Sequence, residues 1–369
     1  FTVHPMAFMA FFPVMATLFL CSILSWWLGV SWLAIILSHF SWLIAVFEFI
    51  LYWRFLDPLF PSKTSTNVLA IIPPHTSSAP TRRIILGAHS DGAFIWTWNT
   101  LHPLVIKVVV LLQLTAFVIP VITSYLDPQE HATSTLAWFH VYCALCYFFS
   151  FTFTNWFRTA PGASDNLSGV FTCIHLAKHF AQEENRLEST ELCVLLCGSE
   201  EAGLRGAKAF VKSQKEWLQT IPDTVFLELD SIRDEKCMNS VKRDLNAIVG
   251  MDKRLVALLE AARSNEYGGT TAPLSTVPCF MGATDAAAFQ QASIPALCLS
   301  AIDPTLPLWY HTAMDTADNM HPVAIERALR IIARAIRMLD SVSTDTISAE
   351  HWQNQQQVTT VDGNKDHPV

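Results

Sequence analysis

Long apolar runs are the feature that most constrains how this chain can fold. Residues 7–53 are almost continuously apolar. That length is too great for one membrane span and suits two, because a span needs roughly 20 residues. Gly29 and Ser31 offer a turn between the two. Residues 103–126 and 136–157 are further runs of spanning length, separated by the polar segment DPQEHATST. The pattern predicts four transmembrane helices arranged as two hairpins.

Composition agrees with a membrane location for part of the chain. Charged residues make up 15% of the sequence and the mean hydropathy is +0.32, whereas a soluble domain carries about 25% charged residues. Buried core helices of a soluble protein are the alternative, but aromatic residues at the ends of the runs favour a bilayer as partner. A net charge of -8 and the lack of a basic cluster argue against a nucleic-acid partner.

An even number of crossings has a consequence for the organisation of the chain. Each hairpin returns the chain to the side that it left, so the polar portions before and after the second hairpin share one side of the membrane. The expected division is a two-span hairpin, the first part of a catalytic α/β domain, an inserted two-span hairpin, the main part of that domain and a disordered polar tail: residues 1–57, 58–102, 103–157, 158–341 and 342–369.

The polar portions alternate short apolar strands with helical patterns. The predicted strands are NVLAII, RRIILGAH, ELCVLLCG, DTVFLELDSI and IPALCLSA. The predicted helices are SGVFTCIHLAKHFAQ, SEEAGLRGAKAFVKSQ, RLVALLEAAR and HPVAIERALRIIARAIRMLDS. This alternation predicts an α/β sandwich with a mostly parallel sheet. Ligand sites in such folds gather at the carboxyl ends of the strands, and chemically useful side chains follow several of these strands.

Two candidate positions lie in the loops around the second apolar hairpin. His89 ends the strand RRIILGAH, and Asp91 follows two residues later. A neutral imidazole is a good zinc ligand, and a nearby carboxylate can fix its tautomer, although a lone His-x-Asp is more often incidental. Asp165 lies in PGASDNLSG just before a helix. It is either a metal ligand or an N-cap.

The adjacent acids Glu200 and Glu201 are a stronger signal. They follow the buried strand ELCVLLCG in the segment SEEAGLRG. Two neighbouring carboxylates repel each other and normally face solvent, so at the end of a buried strand they need a positive partner. A metal ion supplies one: one carboxylate can bind the ion while its neighbour acts as a general base.

The last candidates follow two later strands. Asp230 lies at the end of FLELDSI, where Glu228 is a competing candidate and a strand-end cap is the alternative role. His311 and Asp315 lie in WYHTAMDTADN, where the alternative is a loop histidine and an aspartate that caps the last helix. Trp309 and Tyr310 beside them, together with two phenylalanines, are candidate walls of a substrate pocket, namely Phe94 and Phe280.

Taken together, these motifs resemble the co-catalytic di-zinc aminopeptidases, the family that includes bacterial leucyl aminopeptidase, glutamate carboxypeptidase and the glutaminyl cyclases. IILGAHSD, PGASDNLSG, SEEAGLRGA, FLELD and YHTAMDT stand in the family's order, and GATDAAAFQQASIPALCL resembles its late strand region. The resemblance covers roughly residues 67–100 and 158–339. It implies a three-layer α/β/α sandwich with a mixed, mostly parallel central sheet, two zinc ions per chain and a peptide substrate.

The resemblance also implies a role for each candidate residue. The implied roles are His89 and Asp230 on one zinc, Glu201 and His311 on the other, Asp165 bridging both, Glu200 as general base and Asp91 orienting His89. The peptide bond after Asp165 is expected to be cis. The implied activity is zinc-dependent hydrolysis of N-terminal residues from peptides.

One departure from the family pattern keeps other functions open. Residues 90–164 carry an apolar hairpin where familiar soluble members have a short connection. A glutaminyl cyclase-like acyltransferase, a non-catalytic membrane scaffold or receptor, and a transporter are the alternatives. The segment PGASDNLSG favours the peptidase over the cyclase, and the complete set of candidate ligands opposes the last two. The sequence leaves the oligomeric state open.

Charged residues near the apolar runs bear on orientation. Arg54, Lys63, Lys107 and Arg158 all lie toward the globular side, whereas the loop DPQEHATST has no lysine or arginine. The positive-inside rule therefore predicts a multi-pass membrane protein with its catalytic domain in the cytoplasm. Glu48 lies within an apolar run, where ionisable groups are often functional, but a position near the membrane interface is the favoured interpretation.

Overall fold

The computed structural model describes residues 1–76, 79–267, 272–279, 282–303, 305 and 307–342. The helices are α1 (Phe11–Trp27), α2 (Ser31–Ile44), α3 (Pro103–Thr123), α4 (Pro128–His131), α5 (Ser134–Phe151), α6 (Ser168–Ala181), α7 (Arg205–Ser213), α8 (Lys215–Gln219), α9 (Lys253–Tyr267), α10 (Asp285–Gln291) and α11 (Pro322–Asp340). The predicted disordered tail, 342–369, lies outside the described residues except for Val342.

The strands form one large sheet and two small ones. They are β1 (Thr2–Val3), β2 (Lys63–Thr64), β3 (Val68–Ile72), β4 (Arg82–His89), β5 (Phe94–Trp96), β6 (Thr154–Thr159), β7 (Thr190–Cys197), β8 (Asp223–Ile232), β9 (Asn239–Asp244), β10 (Val249–Gly250), β11 (Ser275–Cys279) and β12 (Ala296–Ala301). The large sheet has the order β10-β9-β12-β8-β4-β7-β3, and β11 pairs with β9.

The centre of the large sheet is parallel. β4 pairs in parallel with both β7 and β8, and β12 pairs in parallel with β8. β3 runs antiparallel to β7, and β9 runs antiparallel to β12 and β10 but parallel to β11. All eight residues of β4 are buried. Because successive side chains of a strand point to opposite faces, both faces of the sheet are covered. The helices pack in two groups: α11 contacts both α6 and α9, and α7 contacts α10. The predicted α/β class with a mixed, mostly parallel sheet is therefore confirmed.

The apolar runs form long helices, as the sequence predicts. α1 and α2 pack together, as do α3 and α5, and α2 continues without a break into a π-helical segment, Ala45–Ile50. Three helical segments are long and apolar enough to cross a membrane: Ser31–Ile50, Pro103–Thr123 and Ser134–Phe151. At 17 residues α1 is apolar but shorter, so three of the four expected spans reach the length required.

Three local predictions differ from the structure. The helix expected over SEEAGLRGAKAFVKSQ begins only at Arg205, because Ser199 (φ 62°), Gly203 (φ 98°) and Leu204 (φ 58°) form a tight turn before it. The end of the last apolar run forms β6 rather than helix and pairs with β5. Strands β9, β10 and β11 are not among the predicted strands, because they lack an apolar pattern of strand length and their pairing is set by the neighbouring strands.

Candidate metal centre

The sheet brings the candidate residues to one edge. β4, β7 and β8 are adjacent and parallel, so their carboxyl ends lie side by side. His89 is the last residue of β4, and Asp230 lies near the end of β8. Glu200 and Glu201 occupy the turn that follows β7. The loops that carry the remaining candidates, Asp165 and His311, reach the same edge.

Asp165 lies between the two histidines. One carboxylate oxygen, Oδ1, is 3.1 Å from Nε2 of His89, and the other, Oδ2, is 3.0 Å from Nε2 of His311. His89 Nε2 is also 3.5 Å from Asp230 Oδ1, and His311 Nε2 is 3.3 Å from Glu201 Oε1. These contacts define two ligand triplets that share Asp165, and within each triplet the donor atoms lie within 4.8 Å of one another.

A fourth carboxylate, that of Glu200, stands beside these triplets. Donor atoms of Glu200, Glu201 and His89 also lie within 4.8 Å of one another. Glu200 thus flanks the two triplets without belonging to either. The structure brings together every residue that the family resemblance assigned as a metal ligand or base. Glu228, the competing candidate, instead accepts hydrogen bonds from the backbone amides of Asp285 and Ala286.

The loop around Asp165 is held by hydrogen bonds on both sides. The peptide bond between Asp165 and Asn166 is cis, as the family resemblance implies. The side chain of Asn166 donates to the carbonyl of Leu229 (2.8 Å) and accepts from the amide of Gly169 (3.0 Å). A Cβ atom at Gly169 would collide with the Leu229 carbonyl oxygen, so only glycine allows this loop to approach β8 so closely.

Asp315 supports the same loop from the other side. Its carboxylate accepts hydrogen bonds from the backbone amides of Ser164 (2.7 Å) and Asp165 (3.1 Å). Asp315 is buried, and burial raises the pKa of its carboxyl group although both amide bonds oppose that shift. The sequence suggested a cap for the last helix. The structure instead gives Asp315 the role of positioning Asp165.

Asp91 makes a corresponding contact with the turn that carries Glu200 and Glu201, here called the Glu-Glu turn. Its carboxylate accepts hydrogen bonds from the backbone amides of Glu200 (3.0 Å) and Glu201 (3.1 Å). The His89 ring approaches the backbone carbonyl of Asp91 at 3.2 Å through Nδ1, whereas the Asp91 carboxylate is 3.8 Å from that nitrogen. Since a carbonyl only accepts, Nδ1 carries the proton and Nε2 is left as the ligand atom. The backbone carbonyl of Asp91 thus fixes the tautomer of His89. The side-chain carboxylate of Asp91 holds the turn that carries Glu200 and Glu201.

Burial and mutual repulsion dominate the electrostatics of the carboxylates. Burial raises the pKa of Glu200 well above its usual value, and repulsion by Glu201 adds to this although His89 opposes it. Burial also raises the pKa of Glu201, against the attraction of His311. For Asp165 the effect of burial is outweighed by hydrogen bonds from His311 and His89, so its pKa is lowered.

The nearby carboxylates raise the pKa values of the two histidines. Burial by itself lowers the pKa of an imidazole, but Glu201 and Asp165 raise the pKa of His311 to about 10. Hydrogen bonds with Asp165 and Asp230 likewise leave the pKa of His89 raised well above its usual value. A cavity opens among these side chains, and none of the described residues that line it is a lysine or an arginine. Positive charge is needed here, and the carboxylate and imidazole donors suit zinc.

A family model matches this region of the chain. The model is that of peptidase family M28, and it matches residues 148–336. The chain belongs to peptidase family M28. The match includes Asp165, Glu200, Glu201, Asp230 and His311, and it begins after the segments that carry the first candidate histidine and most of the apolar helices.

Solved structures resemble this M28 family member at low sequence identity. An aminopeptidase from Aneurinibacillus sp. strain AM-1 is 21% identical over 75% of this chain and 48% of its own, with a TM-score of 0.47. A zinc aminopeptidase from Bacillus subtilis is 18% identical over 79% and 53%, with a TM-score of 0.46. A glutaminyl cyclase from an Acidobacteriales bacterium is 16% identical over 74% and 73%, with a TM-score of 0.47. The chain thus spans about half of the two aminopeptidase structures. No curated protein matches the sequence.

The cavity of this M28 family member also has walls that the motifs did not reveal. It measures about 210 Å³ and opens among the candidate ligands and strands β9 and β11, with Val241, Val277 and Cys279 as apolar lining. Of the aromatic walls expected from sequence, Tyr310 lines the cavity. Trp309 is buried beneath the guanidinium group of Arg233. Phe94 contacts Trp156 instead, and Phe280 lies outside the described residues.

Proposed function

We propose that this chain is a zinc-dependent, membrane-anchored aminopeptidase that uses two zinc ions. The observation that carries the proposal is the carboxylate of Asp165, whose two oxygens face one histidine each at 3.1 and 3.0 Å. In this assignment His89, Asp165 and Asp230 hold one zinc, and Asp165, Glu201 and His311 hold the other. Zinc bound there would act as a Lewis acid and lower the pKa of a coordinated water.

Glu200 is the proposed general base. Its carboxylate lies beside the triplets, and Asp91 holds the backbone of its turn. It would accept a proton from the attacking water and pass that proton to the amine that leaves when the peptide bond breaks. Asp91 and Asp315 would act by positioning, since each holds the backbone amides of proposed ligands or base.

Action on the N-terminal residue is supported by the acidic lining of the cavity. Asp303 lines the same cavity as the candidate ligands. A carboxylate there can make a charge-assisted hydrogen bond with the free α-amino group of a peptide. The cavity volume of about 210 Å³ suits one residue, not a long peptide segment.

The membrane assignment rests on the apolar helices. Three segments have the length and composition to cross a bilayer, and their outer faces carry exposed large side chains such as Trp32 (65%), Leu111 (63%) and Trp138 (72%). Large exposed apolar surfaces of this kind mark contact with lipid or with another protein. With the basic residues on the globular side, we propose a cytoplasmic catalytic domain.

A single preparation tests the enzymatic proposal. The protein is purified in detergent, its zinc content per chain is measured, and hydrolysis of aminoacyl-arylamides is assayed. Two zinc ions and hydrolysis are expected. Glu200→Gln should retain zinc and lose about 10²- to 10⁴-fold in kcat, while the exposed control Glu184→Gln should match the wild type.

The other outcomes discriminate between the alternatives. One zinc ion with cyclisation of N-terminal glutamine favours a glutaminyl cyclase-like enzyme. Metal-free protein without activity contradicts both enzymes and leaves a scaffold or receptor. Full activity of Glu200→Gln contradicts the assignment of the base. Protease protection tests which side of the membrane carries the catalytic domain. If the domain is cytoplasmic, a protease added to sealed vesicles whose cytoplasmic face points inward should leave it intact.

A further inference from the structure

A second, apolar cavity adjoins the candidate metal centre. It measures about 70 Å³, and Glu200, Glu201 and His311 form one side of it. Most of the remaining lining is apolar and comes from the apolar runs 7–53 and 136–157, namely Phe8, Met9, Phe12, Phe49, Tyr52 and Phe153. The cavity therefore lies between the catalytic domain and the apolar part of the chain.

Ring contacts hold this apolar wall in place. Phe12 stacks on Phe153 with 4.6 Å between ring centroids, Phe153 lies 5.4 Å from Trp96, and Trp96 contacts the imidazole of His311 at 4.5 Å. A continuous row of rings thus leads from α1 to a proposed zinc ligand. Phe8 closes another side, since its ring packs against Gly203 in the turn that carries the Glu-Glu pair.

Most of the apolar residues that line this cavity come from a part of the chain that the family model does not cover. Phe8, Met9, Phe12, Phe49 and Tyr52 all precede residue 148, where the match to the peptidase family begins. The apolar part of this chain thus contributes directly to the surroundings of the candidate metal centre. Anchoring alone would not require such a contribution.

The two cavities are continuous in their lining. Both are bordered by Glu200, Glu201, Ala283 and Tyr310. The larger cavity contains Asp303 and most of the metal ligands, so it suits the N-terminal residue and its amino group. Apart from Glu200 and Glu201, the described lining of the smaller cavity holds no carboxylate. Pockets lined mainly by aromatic and aliphatic side chains select apolar groups.

We propose that the aromatic cavity, which measures about 70 Å³ and shares lining residues with the larger cavity, receives the tip of an apolar side chain that reaches it from the larger cavity. That side chain belongs to the second residue of the peptide, immediately after the scissile bond. This inference rests on the proposed aminopeptidase function. It makes the N-terminal apolar segment a determinant of specificity and predicts a preference for phenylalanine or leucine over alanine or aspartate at the second position. Met9 and Phe12 are the specificity-determining residues whose change should alter that preference.

The test compares dipeptide amides that differ at one position. The value of kcat/KM is measured for Leu-Phe-amide and Leu-Ala-amide, and for Ala-Ala-amide as a probe of the first position. In Phe12→Ala, the Phe/Ala preference at the second position should fall about 10-fold or more, since a pocket contact of this size is worth at least that factor. The Leu/Ala preference at the first position should not change.

Two controls separate specificity from damage to the fold. Phe139→Ala removes an equally large ring from α5 at a side chain that is 51% exposed and does not line the cavity, and it should keep the wild-type preference. Phe12→Leu keeps an apolar side chain and should recover part of the preference. Equal losses on all substrates in Phe12→Ala, at unchanged melting temperature, would overturn the inference.

A binding measurement distinguishes this inference from the proposed function. Leu-Phe-amide and Leu-Ala-amide are titrated by calorimetry into Glu200→Gln protein, with and without Phe12→Ala. A Phe preference that disappears with Phe12→Ala supports the cavity even if the wild-type protein hydrolyses neither amide. Hydrolysis by the wild type without any Phe preference in binding or turnover contradicts the cavity and leaves the aminopeptidase proposal intact.

Discussion

Two clusters of buried charge in this protein are completed in different ways. In the first, Arg205 donates through one terminal nitrogen to Glu48 Oε1 and Asp57 Oδ1, both at 3.0 Å, and the backbone amide of Leu56 donates to the other oxygen of Glu48. In the second, the candidate metal centre, four carboxylates meet two histidines without a lysine or arginine among the described lining residues. The chain supplies the cation for the first cluster only.

The difference teaches how to recognise a metal site from structure. A buried carboxylate is tolerable when a fixed cation or several hydrogen-bond donors face it. Where the donors are carboxylates and imidazoles alone, the balancing charge has to be taken up from solution, as protons or as a metal ion. The two clusters are also linked along the chain, because Arg205 begins α7 directly after the turn that carries Glu200 and Glu201.

Removal of divalent cations should separate the two clusters most strongly. A chelator is expected to abolish hydrolysis and to lower the melting temperature, because ligand-bound protein gains about 4 kcal/mol at a zinc concentration 1,000-fold above Kd. Zinc should restore both. Asp165→Asn, which changes the proposed shared ligand, should show little response to the chelator. An equal melting temperature with and without zinc in the wild type would contradict the metal centre.

Arg205→Met tests the cluster that the chain completes by itself. Glu48 and Asp57 would remain buried without their guanidinium partner, and loss of one member of such a group costs about 3 kcal/mol or more. The measurement is thermal or denaturant unfolding in detergent.

The matched control for that change is Arg254→Met. Arg254 pairs with Asp252, but its side chain is 47% exposed, so its removal should cost less than about 1 kcal/mol. Equal destabilisation by the two variants would refute the distinction between them. Adding Glu48→Gln to Arg205→Met should recover part of the loss, since it removes one uncompensated charge.

Asp315→Asn tests a positioning residue of the metal centre. An amide side chain can accept only one of the two hydrogen bonds that Asp315 accepts from the Asp165 loop, so zinc affinity or activity should fall about 10- to 100-fold. Zinc titration gives a readout that does not depend on turnover. Asp318→Asn, an exposed neighbour, should leave zinc affinity unchanged, and a similar loss in both variants would argue against a specific role.

The smallest effect concerns pH and a lysine beside the Arg205 cluster. Lys208 donates to the Tyr52 carbonyl at 2.6 Å. Burial, with repulsion from Arg205 and Arg54, lowers the pKa of Lys208 to about 7, against partial attraction by Glu48 and Asp285. The unfolded chain therefore binds more protons above pH 7, and stability attributable to Lys208 should rise as pH increases from about 7 toward 10.

The measurement compares wild type with Lys208→Met. Because Lys208 is only partly buried, a rise of about 1 kcal/mol or less between pH 7 and pH 8 is expected. In Lys208→Met, the free energy of unfolding should lack this part of its rise with pH. A slope that is the same in both proteins would show that Lys208 titrates normally.

Much of the fold could be predicted because its strands and helices are locally encoded. The strand DTVFLELDSI and the helix HPVAIERALRIIARAIRMLDS match β8 (Asp223–Ile232) and α11 (Pro322–Asp340) closely, since continuous apolar runs and helical periodicity are strong signals. β9 and β11 gave no such signal: NSVKRD is polar and STVPC contains proline. Their pairing depends on strands distant in sequence, so the cavity walls that they form were not predictable.

The sequence by itself determined the chemistry available to this protein: the apolar helices, the α/β class, and the identity of His89, Asp165, Glu200, Glu201, Asp230 and His311 as candidate ligands and base. Only the tertiary structure decided which atoms meet. It placed Asp165 between two imidazoles, turned the Asp91 and Asp315 carboxylates to backbone amides, paired Glu48 with Arg205, and brought Phe12 within reach of the metal centre. Periodicity and motif spacing carry local information, whereas these contacts join segments that are far apart along the chain.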